Sequence, residues 1–335
     1  MGTMNGVKPD QASILATFSE QCSAKGLLKR PNGLKDEDVL DGLSDETTLL
    51  RFLQANSLDP TKALEQFQQS TDYRAKNDAS RLYATMSVDD FEDTRLQYPH
   101  WTGRRDRQGR PILAMDVAAL NKETMAHWRE TRNPSSGSPS MEERALVYFD
   151  TFTRFVLPLC SAVRGEPVTS CVYIVDASCL GMKQAWDLRE FAQAVSWILA
   201  TCFPETIHRV YACNCPSMLT TLWKILKPFV DPITAAKIQF LQGKESSQVL
   251  SLEIDPVNIP SGLGGGFDLK TGMLPDLDDE TKGVLDWTVP QQEIPPGPLK
   301  WVQSEGQKRA VATGTVDGEA RNLHIATLRT SIESR

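Results

Sequence analysis

Side chains with catalytic or metal-binding chemistry are scattered along this sequence and do not form a recognisable centre. Cys213 and Cys215 are two residues apart, but no histidine or second cysteine pair lies at a zinc-binding spacing. Asp176 ends an apolar run where a catalytic acid could lie, yet no nucleophile and base accompany it. The glycine-rich segment 262–266 lacks the following lysine of a phosphate-binding loop. We therefore predict no enzyme activity, no metal and no cofactor.

A cluster of cations lies near the end of the first third of the chain. It consists of Arg104, Arg105, Arg107 and Arg110, which surround Asp106. Four cations could attract an anionic membrane surface. A solvated turn between two strands is the alternative, and the sequence favours it.

The strongest pattern is apolar and covers residues 216–230. At about 100° per residue, its large apolar side chains fall within an arc of roughly 160°. They are Met218, Leu219, Leu222, Trp223, Ile225, Leu226, Phe229 and Val230. Lys224 and Lys227 lie on the remaining face. Such a helix packs on a core, or it closes an apolar cavity and opens at a membrane.

The elements around this helix alternate between strands and helices. Apolar runs at 169–175 and 207–213 lack polar alternation, which is typical of strands buried on both faces. Helical segments are predicted at 141–163 and 183–201, the first preceded by a loop over 133–140. Alternation of this kind predicts an α/β fold with a largely parallel sheet covered by helices.

Three regions differ in composition. Residues 1–95 are polar and helical, with Ser44 as the predicted N-cap of a helix over 45–55. Residues 96–270 carry the strands and the amphipathic helix. Residues 271–335 are first acidic and rich in proline and then β-rich. We predict a helical lobe, an α/β domain, and a Pro-rich linker with a short C-terminal extension.

The composition indicates the cellular compartment of the protein and argues against one class of binding partner. The net charge of -7 over 335 residues argues against nucleic-acid binding. Seven cysteines without a CxxC pair indicate a reducing compartment. The first residues are polar, unlike a secretory signal, and no run of 18 apolar residues predicts a membrane span. We expect a cytoplasmic protein whose membrane contact is transient and peripheral.

Five motifs, in this order, resemble the CRAL-TRIO lipid-binding family, and most of all the fungal secretory phosphatidylinositol-transfer proteins. They are the segments 49–55, 106–111, 203–205, 227–234 and 264–266. The resemblance implies a helical lobe and an α/β lobe that enclose an apolar lipid cavity. It also implies that residues 216–230 form a mobile gate over that cavity.

The resemblance assigns a headgroup site to Glu205, Thr234 and Lys237. A lysine can hold an inositol phosphate, and a carboxylate can orient the lysine or accept hydrogen bonds from inositol hydroxyls. A surface ion pair between the two charged residues is the alternative. The chain departs from the family at 54–57, where Gln-Ala-Asn-Ser replaces a segment with more basic residues.

The resemblance also implies which residues line the lipid cavity and which form the gate. Cys171, Tyr173, Phe191 and Ile198 are assigned to the cavity. Met218, Leu219, Leu222, Trp223, Leu226 and Phe229 are assigned to the gate. Cys171 and Tyr173 stand where the transfer proteins have small hydroxyl residues, and the bulk of Tyr173 favours a single-chain or sterol-like ligand. Residues 175–177 lack the His-Asp-Tyr run of the haem-binding branch, which disfavours haem.

The function that the sequence predicts is non-catalytic binding and transfer of phosphatidylinositol or another phospholipid between membranes. Two alternatives remain open. One is a lipid-sensing interaction module that docks a protein partner through residues 275–335, and the other is a carrier of a sterol-like or single-chain ligand.

Overall fold

The computed structural model describes residues 9–132, 138–243 and 245–329. The polar segment 1–8 and most of the predicted loop, 133–137, lie outside the described residues. The N-terminal lobe contains helices α1 to α5, which span Pro9–Ala24, Glu46–Ala55, Pro60–Lys76, Ala79–Thr85 and Val88–Arg95. Edge-to-face contacts of Phe67 with Phe18 and Phe52 hold α1, α2 and α3 together.

The predicted N-cap of α2 is wrong by one residue. Asp45, not Ser44, caps the helix, because its carboxylate accepts hydrogen bonds from the backbone N–H groups of Thr48 and Gly42. Aspartate is as favourable at this position as serine, so local sequence does not separate the two.

A five-stranded sheet with the order β1-β2-β3-β4-β5 forms the middle layer. The strands span His100–Arg105, Pro111–Asp116, Cys171–Asp176, Ile207–Cys213 and Ile238–Phe240. β1 and β2 form an antiparallel hairpin, and β2 to β5 are parallel. In β3, Cys171 and Tyr173 enter one buried cluster whereas Val172 and Ile174 enter another. The predicted helix-covered, largely parallel sheet is confirmed.

Helices α6 to α13 connect and cover these strands. They span Lys122–Thr131, Met141–Thr151, Leu157–Arg164, Met182–Asp187, Arg189–Cys202, Leu219–Leu226, Pro232–Ala236 and Glu245–Glu253. The single helix predicted over 183–201 is two helices that meet at Leu188.

A π-helical turn, Phe152–Val156, joins α7 to α8 into one continuous helix over Met141–Arg164. Within the described part of the chain, this is the one helix long and apolar enough to cross a membrane. Its most apolar window is 78 % buried inside the protein. Such burial is typical of a core helix.

Between residues 272 and 329 the chain forms a second sheet that shares the main core. After α14 (Asp279–Gly283), the strands β6 to β11 span Leu285–Trp287, Leu299–Ser304, Gln307–Ala312, Thr315–Val316, Glu319–Ala320 and Leu323–Leu328. Four of them pair antiparallel in the order β6-β11-β8-β7. Trp301 of β7 is 1 % exposed, stacks on Phe155, and donates its indole N–H to the Phe155 carbonyl at 3.2 Å. The C-terminal sheet is therefore packed on the core helix.

The arginine cluster anchors the acidic start of this C-terminal segment. Arg105 donates to both carboxylate oxygens of Asp278, at 3.0 and 2.9 Å, and to Glu280 at 2.8 Å. The other pairs are Arg104 with Asp276, Arg107 with Asp255 and Arg110 with Asp106. A Cβ added to Gly103 would lie 2.4 Å from the backbone of Asp276. Only glycine at position 103 therefore lets the acidic segment pack this closely against β1. Carboxylates thus engage all four cations, which do not form a free basic surface.

Candidate functional site

A polar cleft of about 580 Å³ lies between the N-terminal lobe and one edge of the sheet. The lobe contributes the polar residues Asn56, Lys62, Glu65, Gln66 and Gln69, and the α/β part contributes Glu205, Asp231, Thr234 and Lys237. We call this space the lobe cleft. The three residues that the resemblance assigned to a headgroup site line this one cleft.

Parallel strand pairing brings Glu205 and Lys237 together. Glu205 lies two residues before β4 and Lys237 one residue before β5, and residues that precede paired parallel strands share one edge of the sheet. The Lys237 ammonium donates to Glu205 Oε2 at 2.8 Å, and the two side chains are 22 % and 27 % exposed. Glu205 has a backbone φ of +56°, a left-handed conformation that non-glycine residues rarely adopt. Strained backbone of this kind clusters at ligand-binding positions.

Thr234 is positioned by the start of the short helix α12. The Asp231 carboxylate accepts from the backbone N–H of Thr234 at 2.8 Å, and Pro232 supplies a helical φ at the first position. The backbone N–H of Asp231 donates to Ser196 Oγ at 2.6 Å. The Asp-Pro sequence therefore holds Thr234 and Lys237 against α10.

Amide side chains line the wall of the lobe cleft where the resemblance places basic residues. Asn56 Nδ2 donates to the Phe52 carbonyl at 2.9 Å and to Gln66 Oε1. Gln66 Nε2 then donates to the Ala200 carbonyl at 2.8 Å. These hydrogen bonds join the N-terminal lobe to α10. Lys62 lines the cleft from α3 and supplies a second lysine that the sequence analysis missed, because its only signal is a place on the polar face of a helix.

The charges of the lobe cleft suit a hydroxylated group with a single phosphate. Lys62 and Lys237 face Glu65, Glu205 and Asp231 around the same space. A lysine binds phosphate as a point charge, and carboxylates accept hydrogen bonds from hydroxyl groups. Because three carboxylates oppose two ammonium groups, additional phosphates would be repelled.

The amphipathic helix is shorter than the sequence predicts. α11 covers Leu219–Leu226 and is followed by a 3-10 turn at Lys227–Phe229, whereas a single helix is predicted over 216–230. Pro228 lacks the backbone N–H that a continuing α-helix requires, which explains the end of α11. We call residues 218–229 the gate segment.

The inner side of the gate segment is firmly packed. Leu222 is fully buried, and Leu226 packs against the main buried cluster. The ring of Trp223 makes an edge contact with Phe240 of β5 at 5.2 Å. These three side chains close the gate segment onto the α/β part.

The outer side of the gate segment is exposed and adjoins a cation. Met218 is 46 % exposed, and the side chain of Leu219 lies outside the described residues. The Arg189 guanidinium lies over the rings of Phe229, at 5.8 Å, and of Trp186, at 3.2 Å. Arg189 thus links the end of the gate segment to α9.

The four residues assigned to the cavity all belong to the main buried cluster. Cys171 and Tyr173 face it from β3, and Phe191 and Ile198 face it from α10. Phe191 stacks on Tyr98 with ring centres 5.4 Å apart. Burial raises the pKa of both the Cys171 thiol and the Tyr173 hydroxyl well above their usual ranges, so both stay uncharged. Packed aromatic side chains therefore occupy the interior against which the gate segment closes.

The other motifs have structural roles. A Cβ on Gly265 would lie 2.1 Å from the Ile259 carbonyl oxygen, so the glycine run makes a tight turn and not a phosphate loop. Six cysteines are buried and Cys179 is exposed. Within the residues that the structure describes, no group of three His, Cys, Asp or Glu side chains could hold a metal ion.

Together these features define an α/β binding protein in which a polar cleft and an amphipathic segment adjoin one buried apolar interior. Residues 97–265 match the CRAL/TRIO domain. The chain belongs to the CRAL/TRIO domain family, which confirms the resemblance seen in the sequence.

Several relatives share most of the chain. The SEC14 cytosolic factor of Candida glabrata is 25 % identical over 269 residues, which cover 76 % of this chain and 86 % of the relative. The phosphatidylinositol/phosphatidylcholine transfer protein SFH11 of Arabidopsis thaliana is 29 % identical over 272 residues, covering 79 % and 66 %. The crystal structure of Sfh5 matches with a TM-score of 0.57 at 12 % identity, covering 80 % and 91 %, and supports the fold alone.

Proposed function

We propose that this protein binds one phospholipid, with phosphatidylinositol as the first ligand, and transfers or presents it between membranes without catalysis. The observation that carries the proposal is the convergence in one cleft of Glu205, which precedes the gate segment in the chain, with Thr234 and Lys237, which follow it. The name of the relative SFH11, a phosphatidylinositol/phosphatidylcholine transfer protein, supports the same class of function.

The lobe cleft takes the headgroup in this proposal. Lys237 and Lys62 hold the phosphate, while Glu205 and Thr234 contact the inositol hydroxyls. Lys237 is paired with Glu205, so binding exchanges one charge-assisted hydrogen bond for another and leaves no buried charge unpaired.

The acyl chains take the interior behind the gate segment. Each CH₂ removed from water contributes about 0.8 kcal/mol, so two chains need shielding worth on the order of 20 kcal/mol. An open groove cannot supply this, whereas an interior closed by Leu222 and Leu226 can. Loading requires the gate segment to move and the packed aromatic side chains to rearrange.

The membrane contact lies beside the gate. Met182 and Trp186 of α9 and Met218 of the gate segment are 43 %, 56 % and 46 % exposed, and α9 packs on α11. Lys183 and Lys224 are exposed on the same two helices. Exposed Trp and Met side chains with nearby lysines suit the interface of an anionic bilayer. A cytosolic carrier that docks transiently through this face follows from the proposal.

A single-chain or sterol-like ligand is the second candidate. Its support is the aromatic packing of Tyr173, Phe191 and Tyr98, which leaves less room for a second acyl chain. Native mass spectrometry of lipids that co-purify with the protein separates the two candidates by the mass of the bound ligand.

Transfer of labelled lipids between vesicles tests the headgroup assignment. Lys237→Ala should reduce phosphatidylinositol transfer about tenfold more than phosphatidylcholine transfer, because the phosphatidylinositol headgroup carries a net negative charge, whereas the choline cation offsets the phosphate charge of phosphatidylcholine. Lys270→Ala, at a largely exposed position outside the lobe cleft, is the matched control and should change neither rate. An equal loss for both lipids would remove Lys237 from the headgroup site.

A further inference from the structure

A second cleft, of about 720 Å³, lies between α2, α8 and the C-terminal sheet. Its walls include Arg51, Thr153, Leu157, Val168, Lys308 and Leu328. We call it the tail cleft. It shares no lining residue with the lobe cleft and lies within the size range of small-molecule sites. The lipid-transfer proposal assigns it no role.

Arg51 is the unusual residue of the tail cleft, because its guanidinium keeps donors that no described residue accepts from. Its side chain is buried, with 2 % exposed, and its Nη2 group donates to Thr48 Oγ1 at 3.0 Å. Among the described residues, neither Nε nor Nη1 has a hydrogen-bond partner. A buried charge with unsatisfied donors is costly, and desolvation lowers the pKa of Arg51 accordingly.

The nearby carboxylates are already engaged. Asp45 accepts hydrogen bonds from Gly42, from the backbone of Thr48 and from its hydroxyl. The other pairs around the cleft are Lys308 with Asp41, Arg329 with Asp286, Arg164 with Glu166 and Arg74 with Asp150. Among the charged side chains that line this cleft, Arg51 is thus the one with unsatisfied donors within the described residues, while Asp45 contributes a nearby negative charge.

Part of the wall of the tail cleft is apolar. Leu157, Val168, Val284 and Leu328 line the cleft from α8, the loop before β3 and the C-terminal sheet. A guanidinium with unsatisfied donors beside apolar side chains is complementary to one acid group on a hydrocarbon body. We propose that the tail cleft binds an organic monoanion of this kind, a carboxylate with an alkyl chain, whose acid group accepts hydrogen bonds from Arg51.

Binding of that anion requires a small movement of the Arg51 side chain. Nε and Nη1 are both out of contact with solvent, so the guanidinium must turn toward the cleft before a carboxylate reaches them. Because Lys308 and Arg329 keep their own carboxylates, a second negative charge on the ligand has no partner. The site therefore selects a monoanion over a phosphate dianion.

Calorimetric titration of the full chain with decanoate and with decanol tests the proposal, because the two probes differ in the acid group. Decanoate should bind at one site, about tenfold more tightly than decanol, since a carboxylate on Arg51 forms charge-assisted hydrogen bonds. Arg51→Gln should abolish this preference. Equal affinity of the two probes, or an unchanged preference in Arg51→Gln, would overturn the proposal.

Two further variants test where decanoate binds, and the first of them does so even if Arg51→Gln fails to fold. Ala162→Trp retains Arg51 and fills the cleft from half-buried α8, so it should weaken decanoate binding even if Arg51→Gln does not fold. Lys237→Ala, in the lobe cleft, should leave decanoate binding unchanged. Full binding in Ala162→Trp, or its loss in Lys237→Ala, would place decanoate elsewhere and reject the tail cleft as its site.

Discussion

Truncation of one gate residue should open the gate without unfolding the protein. Leu222 is fully buried on α11, and α11 packs on the helices α9 and α10. If the gate segment moves as a unit, the open state exposes this side chain. Leu222→Ala therefore removes apolar contacts from the closed state alone.

The size of the effect follows from the burial. Replacing a fully buried leucine by alanine costs about 2–5 kcal/mol in protein cores. A loss of about 3 kcal/mol, at 1.4 kcal/mol per tenfold, shifts the equilibrium toward the open gate by roughly 150-fold. Amide hydrogen exchange of residues 219–226 should become faster by a similar factor, because exchange occurs from the open state.

Leu250→Ala is the matched control. Leu250 is equally buried on α13, but it belongs to the cluster on the other face of the sheet. Its truncation should lower the global free energy of unfolding by a similar amount and leave the exchange of residues 219–226 unchanged. Two results together would refute the gate hypothesis. Leu222→Ala would lower the global free energy of unfolding by the full ~3 kcal/mol, and the amides of residues 219–226 would exchange no faster than in Leu250→Ala. In that case α11 is an ordinary core helix.

Two further predictions concern stability. Arg105→Ala breaks the two-pronged pair with Asp278 and should lower the free energy of unfolding in urea by about 2–3 kcal/mol. Arg107→Ala removes a half-exposed pair and should cost less than about 0.5 kcal/mol; equal losses would contradict an anchoring role for Arg105. Burial lowers the pKa of His100 from 6.5 to about 4, so between these pH values the unfolded chain binds a proton that the folded chain does not. The free energy of unfolding should fall by about 3 kcal/mol as pH drops through this window, and His100→Gln should lose that slope; an identical slope in the variant would disprove the assignment.

Features that depend on local pattern could be predicted from the sequence. The uninterrupted apolar run of β3 predicted burial on both faces, and Tyr173 and Ile174 do enter separate clusters. The order of the motifs predicted the family, and it brought Glu205 and Lys237 into one hypothesis although they are 32 residues apart. Periodicity and short motifs carry this information because a backbone conformation and its burial recur over a few residues.

Features that depend on the partner of a polar or charged residue needed the tertiary structure. Arg105 meets Asp278 across 173 residues, and Gln66 meets the Ala200 carbonyl across 134. A charged side chain has the same sequence signature whether it faces water, a membrane or a distant carboxylate. For this reason the arginine cluster could be interpreted as a membrane contact, and Lys62 went unnoticed. Only the tertiary packing, including that of the C-terminal segment, decided which cations are neutralised and which cleft retains a buried arginine with unsatisfied donors.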